Sequence, residues 1–325
     1  MILVLGVDAG GTASRAVLAT PDGKILGRGS AGPGNPVSAG RDAARSIGTA
    51  IRAALGEEDP QSVRAGVVGV AGISALADPA VAAAFEEQWR AIGLTCPVDT
   101  VGDAVTAFAA GTPAASGAVL IAGTGAVAAR IENWRITRTA DGLGWLLGDE
   151  GSGLWLGLQA VRAAARCWAP AQGGLAAKIA AHAGVGSCDE LVHWAGRQPP
   201  PAFAVLAPLV CASARAGDPV ALRLTTEAGT RLLATLGELG PPAGPVVLSG
   251  SLLTAETPVR ATVLTALCGR GTPAATSRDP AAGAAWLAIR RVTDPDDRAA
   301  ADLHAGMLAV RKGSVGPQSV NNPCQ

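Results

Sequence analysis

The chain has 325 residues, 49% of them apolar and 16% charged, and its 26 basic residues are balanced by 26 acidic ones. That composition excludes an intrinsically disordered chain, and zero net charge without a Lys/Arg run argues against a nucleic-acid or anionic membrane surface. The length leaves room for two domains of ordinary size, each with its own core.

Residues 2–7 predict a buried strand, which reaches Asp8 too soon, and without a basic flank, to be a signal peptide. Strands at 15–19 and 25–29, joined by Pro21-Asp22-Gly23, complete an antiparallel meander. A helix near 38–55, a strand at 65–70, a helix at 79–92 and a strand at 97–101 follow; this last strand ends at Gly102-Asp103 and passes into a short helix to about Ala110. After Gly111-Thr112-Pro113 the opening repeats as strand 117–122, a glycine turn, strand 126–132 and a turn at Asn133-Trp134-Arg135. A Gly-rich loop at 141–153 leads into a helix from Leu154 to about Cys167, and 173–240 reads mostly helical. Pro245 to Leu248 reads as a buried strand ending in Ser249-Gly250-Ser251, with helices near 256–268 and 280–292. The segment 293–325 has the charged, then Gly/Ser/Asn/Pro-rich composition of a partly disordered tail. No stretch approaches about 18 apolar residues free of charges, so no membrane span and a cytoplasmic location are expected. The six cysteines show no C-x-x-C spacing and predict reduced thiols rather than a disulfide framework. Cys167, His182, Cys188 and His193 match no compact zinc-ligand spacing; small hydrophobes and surface histidines are the simpler reading.

Two glycine turns carry the most information. Each lies between adjacent apolar strands: Asp8-Ala9-Gly10-Gly11-Thr12 and Gly123-Thr124-Gly125. Glycine lets backbone N–H groups approach an anion without a Cβ in the way, and two such turns can grip a polyphosphate from opposite walls. Neither is a Walker A loop or a dinucleotide fingerprint, since G-x-x-x-x-G-K-[ST] and G-x-G-x-x-G are both absent. A carboxylate at Asp8 would repel phosphates unless Mg²⁺ lay between them, directly or through water. Gly250 and Ser251, after a buried strand and before a helix, form a third element suited to a nucleotide base or ribose. As bare residues, Asp103 also reads as a helix cap, Asn35 as a turn residue, and Asp149 with Glu150 as acids at a helix N-terminus.

Together these pieces resemble the BadF/BadG/BcrA/BcrD ATPase and N-acetylglucosamine kinase family of the actin-like ATPase superfamily. The matching stretches are Gly6-Val7-Asp8-Ala9-Gly10-Gly11-Thr12, Pro33-Gly34-Asn35, Val70-Ala71-Gly72, Val101-Gly102-Asp103-Ala104, Gly123-Thr124-Gly125, the run from Gly144 to Ser152, and Gly250-Ser251. The resemblance implies an α/β fold of two actin-like (ribonuclease H-like) domains with an interdomain cleft. Residues 1–113 would form the sugar side and 114–280 the nucleotide side, with the 281–292 helix packing back on the first domain. It implies Asp103 as catalytic base and Asn35, Gly72, Asp103, Asp149 and Glu150 as substrate-binding residues. Gly10, Gly11, Thr12, Gly123, Thr124, Gly125, Gly250 and Ser251 would hold ATP, with Asp8 toward Mg²⁺. A homodimer is expected by the same analogy.

Phosphoryl transfer from ATP to the 6-hydroxyl of an amino sugar is the activity implied, with the two domains closing on the sugar to exclude water. N-acetylglucosamine kinases commonly carry Asn shortly after the second turn, where this chain has Ala126-Val127, and the Asp149/Glu150 pair suits a protonated 2-amine. The chain also looks like actinobacterial-type glucosamine kinases. Glucosamine is therefore the expected acceptor, with N-acetylglucosamine as the alternative. An ATPase activator of a radical dehydratase stands as a reading of another class, although no cysteine lies in either glycine turn. A sugar-sensing binder without catalysis is disfavoured by Asp103. Trp145 and Trp155 could border the sugar, but core packing is the simpler role for both.

Overall fold

The computed structural model describes residues 1–241 and 243–309. The chain separates into two units, one holding residues 1–116, 131–136 and 277–309, the other Gly117–Arg130 and the described residues of Thr137–Thr276. The first break thus falls at 116/117 rather than 113/114, and the tip of the second meander groups with the first unit.

The first unit opens with β1 (Leu3–Ala9), β2 (Ser14–Ala19) and β3 (Ile25–Ala31), followed by a short α1 (Pro36–Ala39) and α2 (Asp42–Leu55). Then come β4 (Val63–Val70), α3 (Pro79–Ile92), β5 (Val98–Gly102) and α4 (Asp103–Ala109). The sheet runs β3-β2-β1-β4-β5, with β2 antiparallel to its neighbours and β4 and β5 parallel to β1. β1 and β4 are buried nearly throughout, which is why both read as unbroken apolar runs rather than alternating ones. Helix α2 presents Ile47, Ile51 and Leu55 to the sheet at four-residue spacing.

The second unit holds β6 (Gly117–Ala122), β7 (Ala126–Glu132) and β8 (Arg135–Asp141), then α5 (Gly153–Arg166), α6 (Gly174–Ala183), α7 (Cys188–Gly196), α8 (Ala207–Arg215) and α9 (Pro219–Glu238). It ends with β9 (Val246–Ser249), α10 (Ser251–Thr254), α11 (Pro258–Gly269) and β10 (Ala274–Thr276). Its sheet runs β8-β7-β6-β9-β10, the same path as the first: a meander, then a parallel crossover onto the far side of the opening strand. β8 and β10 are additional to the strands predicted from the sequence. Both are edge strands, and exposed residues such as Arg135, Thr137, Arg138 and Thr139 give β8 no continuous apolar signal.

Two helices return to the first unit. In α12 (Pro280–Thr293) every residue from Ala281 to Ile289 is buried. A helix apolar on all sides must be enclosed, and its small side chains allow close approach. A Cβ on Gly6 of β1 would lie 2.1 Å from the Ala285 nitrogen. Trp286 fills this layer, with its Nε1–H donating to the Ala300 carbonyl at 3.0 Å and its ring 5.1 Å from that of Trp134. Truncating it to alanine costs about 3–5 kcal/mol by analogy with other buried aromatics. The second helix, α13 (Asp297–Leu308), corrects the expectation of a disordered tail from 293; residues 310–325, where that expectation also fell, lie outside the described residues. Asp296 caps α13 by accepting from the Ala299 N–H, a start signal present in the sequence.

Six helical starts share one chemistry: Asn35-Pro36, Asp59-Pro60, Asp78-Pro79, Asp218-Pro219, Thr257-Pro258 and Asp279-Pro280. In each, the first side chain accepts a backbone N–H while proline takes a position whose own N–H has no helical partner. Among the described residues Cys96, Cys167, Cys188 and Cys211 are free thiols.

Candidate active site

In the first unit, functional groups gather where β1, β4 and β5 end. Register places Asp8 on a row with Gly69 and Val101, and Asp103 lies two residues beyond that row, as the first residue of α4. Gly102 is the N-cap, so Asp103 is not the helix cap that its position suggested. Burial raises the Asp103 carboxyl above its ordinary value, outweighing the N–H groups of Ala104 and of Asp103 itself that hold it down. A raised carboxyl is better matched to accepting a hydroxyl proton than one at its ordinary value. Asp8 goes further. Burial first, then the Asp103 charge, push it up to about 7, against the pull of Arg15 directly across on β2 and with a smaller push from Asp279.

Two carboxylates, Asp103 raising Asp8 against a partial offset from Arg15, make a suitable place for a hard metal ion with oxygen ligands. Among the described residues no group of three or more His, Cys, Asp or Glu converges. A metal here would therefore keep water and phosphate oxygens as its other ligands, which is how Mg²⁺ is commonly held. The residues present fit Mg²⁺ at Asp8.

The first glycine turn spends the Gly10 N–H on the Ala13 carbonyl, and the Gly10 carbonyl accepts from Gly34. Its donors for an anion are thus the N–H groups of Gly11 and Thr12, both on exposed residues. The same bond ties the Pro33-Gly34-Asn35 loop to the turn. Asn35 caps α1, its Oδ1 accepting from the Val37 N–H at 2.8 Å, which leaves Nδ2 as the group that can donate elsewhere. Gly72 lies beside it with φ +70°, and a Cβ there would come within 2.6 Å of Asn35 Oδ1. The structure therefore brings Asp8, Gly10, Gly11, Thr12, Asn35, Gly72 and Asp103 onto one end of one sheet.

The second unit carries its own glycine turn. Gly123 donates to the Gly125 carbonyl, leaving Thr124 and Gly125 as the turn's anion donors. Gly250 has φ +81°, and a Cβ there would sit 2.3 Å from the Ala122 oxygen, so only glycine lets β9 deliver Ser251 this close to the turn. The first two N–H groups of α5, on Gly153 and Leu154, donate to the carbonyls of Gly123 and Thr124. That contact locks helix to turn.

Asp141, which no motif or spacing singles out, organises the loop that follows. Its carboxylate accepts the N–H of Asp149 at 2.7 Å and of Glu150 at 2.9 Å, while both Asp141 and Asp149 adopt positive φ. Asp149 in turn accepts from Ala126 N–H at 2.9 Å, and its carboxylate lies 2.7 Å from where a Gly125 Cβ would be. Burial raises the Asp149 carboxyl, the Ala126 bond opposes, and Asp141 adds a smaller push upward. Glu150 is ion-paired to Arg231 of α9. Neither acid is the unengaged acceptor that the sequence suggested. Trp155 is buried as expected, but Trp145 is 49% exposed and does not pack in the core.

Two sheets of one strand order, each with a glycine turn after its opening strand, define an actin-like ATPase fold; a Streptomyces griseus ROK-family glucokinase with glucose and AMPPNP shares it at TM-score 0.59 and 21% identity, over 89% of this chain and 99% of that one. The chain belongs to the BadF/BadG/BcrA/BcrD ATPase family, whose model matches residues 5–288. A candidate N-acetylglucosamine kinase from Chromobacterium violaceum superposes at TM-score 0.73 with 27% identity, over 89% of this chain and 99% of that one. An N-acetylmuramic acid/N-acetylglucosamine kinase of Clostridium acetobutylicum is 31% identical over 168 residues, 50% of this chain; the match spans about half of that relative, 54%. An N-acetyl-D-glucosamine kinase of Dictyostelium discoideum is 24% identical over 246 residues, 71% of this chain and 76% of the relative.

Proposed function

We propose that this chain is an ATP-dependent amino-sugar kinase that phosphorylates the 6-hydroxyl of N-acetylglucosamine. The observation that carries the reading is the pairing of Asp8, at the end of β1, with Asp103, just past β5 at the same end of the sheet, beside a turn whose Gly11 and Thr12 are exposed. Asp103 accepts the hydroxyl proton as the sugar oxygen attacks the γ-phosphorus, and the bond from phosphorus to the ADP oxygen breaks. In a loose transition state the base acts late, so holding the hydroxyl in line is its larger task. Asn35 and the Gly72 backbone orient the sugar, Gly11 and Thr12 hold phosphate oxygens, and Thr124, Gly125 and Ser251 hold the nucleotide. Mg²⁺ at Asp8 would offset charge on the transferring group.

The choice of the acetylated sugar over glucosamine reverses the expectation from the acidic pair. Its premise was free negative charge, whereas Asp149 is engaged by the Ala126 N–H and Glu150 by Arg231. The names of the relatives support the same choice. The deciding experiment measures ADP release with glucosamine, N-acetylglucosamine and no sugar. A higher kcat/KM for N-acetylglucosamine is expected; a preference for glucosamine would restore the earlier expectation, and turnover indifferent to either sugar would remove the kinase reading. Cytoplasmic location and a homodimer are proposed by analogy with soluble sugar kinases, and sedimentation equilibrium tests the latter.

A further inference from the structure

Glu150 is the one acid of the candidate sugar loop whose partner comes from a distant helix. Arg231, on α9, is placed between two carboxylates and a ring. It donates through Nε and Nη2 to Glu227 Oε1, at 3.1 and 2.8 Å, and through Nη1 to Glu150 Oε2. Its guanidinium carbon stands 4.9 Å from the centroid of Trp155. The planar fork suits this double engagement, while the Glu150 arm alone needs only one cationic donor. The Trp155 backbone N–H is capped by the buried Ser152 hydroxyl, and its side chain is buried. The Glu150 backbone N–H is held by Asp141 at the same time. So Glu150 is gripped from both ends, and its charge is directed toward α9.

Resting on the amino-sugar kinase reading above, we infer that Arg231 is a specificity-determining residue: by engaging Glu150 it denies an ammonium-bearing acceptor its counter-charge and so favours the neutral, acetylated sugar. The pair is half-exposed, and solvent screens it, so the expected effect is modest. Removing the guanidinium releases Glu150 to meet a 2-ammonium group, while an uncharged acetamido group gains nothing comparable.

The test compares the ratio of kcat/KM for glucosamine to that for N-acetylglucosamine in the full chain and in Arg231→Gln. A rise of about fivefold is expected, the upper range for a half-exposed charge pair. In the double variant Arg231→Gln/Glu150→Gln the rise should vanish, since the released charge is gone. Arg231→Lys keeps a cation on α9 and guards against a misfolded glutamine variant; it should hold the ratio within about twofold of the parent. An unmoved ratio in Arg231→Gln, a rise that survives the double substitution, or an equal rise with lysine would each overturn the inference. Loss of packing alone lowers both sugars together and leaves the ratio flat. Absence of amino-sugar-dependent turnover in the unsubstituted protein would overturn the parent reading as well, whereas turnover with a flat ratio overturns this one alone.

Discussion

Asp8-Ala9-Gly10 ends the opening strand of the first unit, and Ile121-Ala122-Gly123 ends that of the second, on sheets that follow the same strand order. The strands that cross over beside them, β4 and β9, are both followed by a glycine at positive φ, Gly72 and Gly250. At the outer parallel strand the likeness stops: β5 delivers Asp103, while the shorter β10 ends at Thr276 with no acid. One scaffold has therefore been given two electrostatic characters. The first unit sets two raised carboxylates, Asp8 and Asp103, beside its turn; the second has one, Asp149, which braces its turn by accepting the Ala126 N–H. On the proposed function, the second turn holds the nucleotide, while proton and metal chemistry falls to Asp8 and Asp103.

Breaking the acidic half should have the largest effect. Asp103→Asn is expected to lower kcat by about 10²–10⁴, the usual contribution of a positioned general base, with both Michaelis constants within several-fold. Near-normal kcat would move the chemistry away from this strand end. Asp149→Asn in the other half keeps an oxygen for the Ala126 N–H, so steady-state assays should show a loss nearer tenfold or less. The glycine pair sharpens the comparison at smaller scale. Gly250→Ala forces a side chain against the Ala122 carbonyl in a left-handed conformation, a strain of about 1–3 kcal/mol, and should raise KM for ATP. Gly72→Ala displaces Asn35 and should raise KM for the sugar instead. If both substitutions raise the same constant, the division of labour between the units is wrong.

The contrast between legible and hidden features follows from the range of the interactions. Both glycine turns and their strands could be read because each is a local pattern, an apolar run stopped by glycine. The acids at Asp8 and Asp103 were visible for the same reason. The fate of Glu150 was not, since its partner Arg231 lies 81 residues away and only the packing of α9 on α5 brings them together. Asp141 looked like one more polar residue of a loop until its carboxylate was seen to take two N–H groups. The raised values of Asp8 and Asp103 come from desolvation, which residue order does not encode. α13 is a different kind of omission: Asp296 and the alanines behind it announce a helix, and the charged composition of the tail obscured that signal.

The smallest expected effect separates the units by their histidines. His182 and His193 of the second unit are exposed, whereas His304 of α13 is buried and donates from Nε2 to the Ala109 carbonyl at 2.7 Å. Burial lowers its pKa below the ordinary 6.5, the Ala109 carbonyl opposes, and Arg278 adds to the lowering. The folded chain thus binds this proton less readily than the unfolded chain does. Stability from His304 is complete above pH 6.5 and is lost as pH falls below it, at up to about 1.4 kcal/mol per pH unit while only the unfolded form is protonated. Asp8 works in the opposite direction, because its raised value makes the folded chain take up a proton near pH 7 that the unfolded chain takes up only near 3.8. A raw melting curve mixes the two. The difference in unfolding free energy between the parent and His304→Gln, measured by urea titration from pH 8 to 5, removes the common Asp8 contribution. That difference should be constant above pH 6.5 and shrink below it; a difference independent of pH would mean that His304 titrates alike in both states and that its burial has no ionic consequence.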